Sequence, residues 1–107
     1  MYLVLKSDGT AKVGISGQHR LTERLRIHGS SGYRQIAVWE FGLGRDARAV
    51  EKEMVRRWRE EDDLLPAAPE GEEGWTETVH TDSLPLEEII KRINKLAREQ
   101  PSYASQR

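Results

Sequence analysis

The chain has 107 residues, 36% of them apolar and 33% charged, with no cysteine and a formal net charge of -1. That length supports one hydrophobic core and a single domain over residues 1–107. Disulfides, thiolate zinc sites and cysteine nucleophiles are excluded; no apolar run is long enough to span a membrane, and without a signal-peptide pattern a cytoplasmic location is expected.

Residues 2–6 read as a strand, Ser7-Asp8-Gly9-Thr10 as a tight turn and residues 11–15 as a second strand, since Asp-Gly between short apolar runs signals a hairpin. Two-residue alternation buries Leu3, Leu5, Val13 and Ile15 and leaves Tyr2, Lys12 and Gly14 on a shared, more open face. Residues 19–28 have helical spacing, with Leu21 and Leu25 on one side and Arg20, Arg24 and His28 at four-residue intervals. Gly29-Ser30-Ser31-Gly32 ends that helix, and residues 34–41 alternate as a third strand around Ile36 and Val38. Asp46 is placed to cap a long helix reaching about Glu61, with Ala47, Val50, Met54, Val55 and Trp58 as its apolar stripe.

Prolines and glycines among acids make residues 62–74 a loop, and residues 75–79 form a short strand or an ordered return to the core. Leu86, Ile89, Ile93 and Leu96 line a final helix over residues 84–99, capped by Ser83 or Asp82 and stopped by Pro101. The expected fold class is α+β (α/β layered), a small three-stranded sheet flanked by helices, with an additional C-terminal helix.

Charge is segregated along this order. Residues 12–59 carry eleven Lys/Arg against five Asp/Glu, whereas residues 60–90 carry eleven acids and no Lys or Arg. The basic part can supply a phosphate-binding surface, to which Arg56, Arg57 and Arg59 would add, and the acidic part is expected to point away from a bound polyanion.

In order and spacing the chain resembles the GIY-YIG nuclease superfamily over about residues 1–80, in particular its small bacterial and phage-type members. Met1-Tyr2-Leu3 stands for the first signature and Lys12-Val13-Gly14 for the second, so Lys12 occupies the place of the second tyrosine. Arg24 matches the family arginine, His28 a histidine four residues on, and Glu51, with an alanine four residues before it, the metal-binding glutamate. Gly74-Trp75-Thr76-Glu77 looks like a later G-x-x-E segment of such members.

The resemblance implies a GIY-YIG-like fold and a Mg²⁺-dependent endonuclease hydrolysing phosphodiester bonds in DNA, with Mn²⁺ as a substitute ion. Its implied site is Tyr2, Lys12, Arg24, His28 and Glu51, with Glu51 as ligand of one metal ion. Mg²⁺ keeps several waters and is commonly held by few carboxylates. Arg24 would grip the scissile phosphate, Tyr2 would orient or deprotonate the attacking water, Lys12 would add a point charge, and His28 would assist proton transfer or hold a phosphate. Each has a plainer alternative. Glu51 could be an exposed helix glutamate paired with Arg48, Arg24 a surface ion pair, Tyr2 a strand residue covering core, Lys12 surface decoration and His28 a helix cap. DNA is the expected partner, with RNA kept open, no membrane, and a protein partner supplying specificity. The alternative function is a catalytically inactive nucleic-acid-binding or protein-interaction module.

Overall fold

The Asp8-Gly9 turn closes by local chemistry. Gly9 takes φ +95°, its N–H donates to the Lys6 carbonyl at 3.0 Å, and the Asp8 carboxylate accepts from the Thr10 N–H at 2.8 Å. The turn joins β1 (Tyr2–Lys6) to β2 (Thr10–Gly14), antiparallel, with Tyr2 opposite Gly14 and Val4 opposite Lys12. The computed structural model describes residues 1–16, 29 and 32–106, so the helix expected over residues 19–28 lies outside the described residues. There follow β3 (Tyr33–Phe41), α1 (Gly44–Arg56) with a π-helical turn (Arg57–Glu61), a 3-10 turn (Trp75–Glu77), β4 (Thr78–His80), α2 (Leu86–Arg98) and β5 (Tyr103–Gln106). No helix among the described residues is long and apolar enough to cross a membrane.

The three-stranded expectation is corrected here. Among the described residues the sheet has five strands, antiparallel throughout, in the order β4-β2-β1-β3-β5. The two additional strands are its short edges: β4 pairs Thr10 with His80, and β5 pairs Glu40 with Ser105. β4 falls partly within residues 75–79, expected as a short strand or an ordered return, whereas the four residues of β5 are too few for alternation to announce. The mixed α+β character stands.

Two expected caps are also corrected. Leu43 precedes α1 without a side-chain cap, because the Asp46 carboxylate is turned to the Ser102 N–H (3.1 Å) and hydroxyl (2.5 Å). Neither Ser83 nor Asp82 caps α2, since Pro85 takes the capping position.

One face of the sheet carries Leu3, Ala11, Val13, Ala37 and Trp39 against Val50, Met54 and Trp58 of the first helical segment and Ile89, Ile93 and Leu96 of α2. The Trp39 indole N–H donates to the Asn94 side-chain oxygen at 2.7 Å, which satisfies the polar atom that burial would otherwise orphan. The opposite face is not open. Tyr2, Val4, Tyr33 and Val38 form a second buried cluster, and Lys12 is only 3% exposed. Leu5 and Ile15, expected inside, are only partly buried at the margin of the helix-side core.

Candidate functional site

Residues distant in sequence converge beside this second face in a cavity of about 400 Å³. β1 contributes Tyr2 and β2 contributes Gly14, which face each other across the strand pair. A Cβ at residue 14 would lie 2.9 Å from Tyr2 Cε1 and nearer still to Cζ and the hydroxyl. The ring therefore lies directly over Gly14, and glycine permits its seat.

From α1 the cavity receives Arg48, Glu51 and Lys52. The stripe of Ala47, Val50 and Met54 fixes the helix against the core, which leaves Glu51 half-buried at the stripe's edge. Its carboxyl hydrogen-bonds that of Glu77. Burial above all, then the negative charge and hydrogen bond of Glu77, push Glu51 up to about 7, against the pull of Arg48 and the Met1 ammonium. Glu51 therefore holds its proton more tightly than an ordinary carboxyl.

Glu77 is held there by its own scaffold. Gly74, at φ +70°, lets the chain turn tightly, and the Glu77 N–H donates to the Gly74 carbonyl at 3.0 Å. The Arg59 guanidinium donates to the carbonyls of Leu64 (3.0 Å), Thr76 (2.9 Å) and Thr78 (2.7 Å), two of which flank Glu77. The fully buried Thr78 hydroxyl donates to the Trp75 carbonyl at 2.6 Å and accepts from the Ala67 and Ala68 N–H groups, each at 3.0 Å.

Lys12 does not line the cavity. Its ammonium donates to the Glu73 carbonyl at 2.7 Å and sits 5.6 Å from the Tyr33 ring centroid. Lys6 pairs with Glu72 at 3.3 Å and sits 4.7 Å from the same ring centroid. The acidic segment expected to keep clear of this face therefore reaches it through residues 72–74, drawn in by two lysines. Glu73 and Gly74 share the cavity wall with Tyr2.

Arg24 and His28 lie outside the described residues. The expected basic surface of Arg56, Arg57 and Arg59 is spent internally. Arg56 binds Glu53, Glu60 and Glu61, Arg57 binds Glu53, and Arg59 binds backbone. Glu53, in turn, is held well below the usual carboxylate range by Arg56 and Arg57, and takes no part in the cavity.

Among the described residues there is no cluster of three or more histidine or acidic groups fit to hold a metal ion. The available oxygen donors are the Glu51–Glu77 pair. The sequence marked Glu77 only as part of a motif, and its pairing with Glu51 had no local signal. Arg48 was legible as a neighbour of Glu51 by helical spacing, whereas Lys52, one turn beyond Arg48, belongs to no motif that would single it out. Comparison of the chain with family models, with curated proteins and with solved structures finds no match.

Proposed function

We propose that the chain is a Mg²⁺-dependent endonuclease that hydrolyses phosphodiester bonds in DNA, a reading that joins the GIY-YIG resemblance to the cavity. The observation that carries it is the meeting of Tyr2, Gly14 and Glu51 around one space, although they come from two strands and a helix. The donor set fits Mg²⁺: Glu51 and Glu77 are two hard carboxylate donors side by side. Such a small protein set leaves the ion's remaining positions to water and to phosphate oxygens. When bound there, Mg²⁺ supplies positive charge against the negative charge that develops on the phosphate.

The chain's own residues do the rest. Arg48 and Lys52 bring two positive charges to a cavity that Glu51, Glu73 and Glu77 also line. Tyr2 projects from the buried central strand, so its position is fixed by packing on both sides. That fixity suits a group that orients a water molecule. A phenol, with its ordinary pKa near 10, is a weak base at neutral pH. Lys12 acts on the wall of the cavity through Glu73.

The inactive-module alternative draws on one observation. The strap at residues 72–74 occupies Lys6 and Lys12, leaving them less able to meet phosphate. The experiment that decides is purified wild type against Glu51→Ala on supercoiled, linear and branched DNA and on RNA, with Mg²⁺ or EDTA. Mg²⁺-dependent nicking by wild type, abolished in the folded variant, is the expected result. Equal nicking by both would refute the site, and no nicking by wild type on any substrate would favour the module.

A further inference from the structure

Most cations near the cavity are already neutralised. Arg56 and Arg57 serve Glu53 and its neighbours, Arg59 serves three carbonyls, Lys6 serves Glu72, and Lys12 serves the Glu73 carbonyl. Arg48 and Lys52 differ. Both are exposed, both line the cavity, and among the described residues neither is held in a hydrogen bond or ion pair. Four residues apart on a helix, their side chains leave the same face about one turn apart, with Glu51 between them in sequence.

A second cavity, of about 380 Å³, shares Glu51, Lys52 and Glu77 with the first. The Glu51–Glu77 pair therefore lines both clefts. Arg48 belongs to one cleft and Lys52 to both. An extended chain crossing from cleft to cleft passes the Glu51–Glu77 pair and meets Arg48 in one of them.

We infer that Arg48 and Lys52 are the cations that grip successive backbone phosphates of a DNA strand lying across the Glu51–Glu77 pair. The inference rests on the nuclease reading and names how that site holds its substrate. Arginine offers a planar fork to the phosphate oxygens and lysine a mobile point charge. Because both are already solvated, gripping a phosphate requires no internal ion pair to be broken. Glu51, Glu73 and Glu77 also line that cavity and repel a polyanion, so among the described residues the grip falls to Arg48 and Lys52.

The test measures affinity and not turnover. Anisotropy of a short labelled DNA duplex is followed against salt, with Ca²⁺ in place of Mg²⁺ at one fixed concentration, for wild type, Arg48→Met, Lys52→Met and Arg45→Met. Arg45 is exposed on the same helix but lines neither cavity, so it reports the effect of net charge alone. Removing one cation that neutralises a phosphate should flatten the slope of log K against log salt by about 0.9. Arg48→Met and Lys52→Met should each do so, Arg45→Met should not, and Arg48→Lys and Lys52→Arg should restore most of the wild-type slope. Unchanged slopes in both methionine variants, equal flattening by Arg45→Met, or no DNA binding by wild type would overturn the inference. Cleavage by wild type with unchanged slopes defeats this inference alone. Flattened slopes without any cleavage defeat the nuclease reading alone.

Discussion

A methyl group at residue 14 is the sharpest available probe of the Tyr2 seat. Gly14 has no positive φ, so alanine fits its backbone, and in open space that change would stabilise by about 0.4–1 kcal/mol through the unfolded chain. Space is what is missing. The added Cβ meets Cε1 of Tyr2 at 2.9 Å and two further atoms of that side chain more closely, and Tyr2 is 3% exposed among Val4, Tyr33 and Val38. Overpacking of this kind costs about 1–3 kcal/mol, so Gly14→Ala should cost about 1–2 kcal/mol net. Tyr2→Leu removes the ring end that the methyl strikes. In that background Gly14→Ala should be neutral or mildly stabilising, which gives a coupling energy of about 1–3 kcal/mol. Urea unfolding of the four proteins, followed by fluorescence of the buried Trp39 and Trp58, measures it at constant slope. Costs that add within about 0.5 kcal/mol would show that the ring does not lie over residue 14.

Three other substitutions address the carboxylate pair and its scaffold. Thr78→Val keeps the shape but leaves two N–H groups and a carbonyl without their partner, so it should cost about 2–4 kcal/mol, with Thr78→Ser close to wild type, by calorimetry. Glu51 is raised in the folded chain from 4.5 to about 7, so its contribution is fully present below about pH 4.5 and disappears as pH rises through 7. Relative to wild type, Glu51→Gln should therefore gain stability between those values and level off above them; a urea-midpoint difference that ignores pH would refute the raised carboxyl. Arg59→Met should release the segment around Glu77, increasing amide exchange at Glu77 by about tenfold or more while β1 stays protected; unchanged exchange would show that the bonds from Arg59 to the loop carbonyls do not hold it.

The parts of this molecule that were legible in the sequence are those encoded locally. Asp8-Gly9 specifies a hairpin by itself, and the spacing of Ala47, Val50 and Met54 specifies the buried side of a helix. β5 escaped, and β4 was legible only as a short strand or an ordered return over residues 75–79, because a three- or four-residue edge strand is defined by the partner it finds. Alternation correctly grouped Tyr2, Lys12 and Gly14 on one face but misjudged its openness, since Tyr33 and Val38 join it only through β3 pairing. The same limit explains the site. Glu51 stood out by its place on a helix, whereas its pairing with Glu77 depends on Arg59 reaching Thr76 and Thr78 across a loop.

The central place of β1 has a consequence for how the cavity comes apart. The strand is paired on both sides, and Tyr2, Leu3 and Val4 are buried on both faces, so its amides should open only with the whole domain. The wall carrying Glu73, Gly74 and Glu77 hangs instead on side-chain bonds from Lys12, Arg59 and Thr78, near an edge strand of three residues. Partial unfolding therefore removes one wall before the other. Under mild denaturant there should be a state in which Tyr2 and Glu51 keep their places while Glu77 has left, and in that state the Glu51 carboxyl loses the neighbouring charge that helps to raise it.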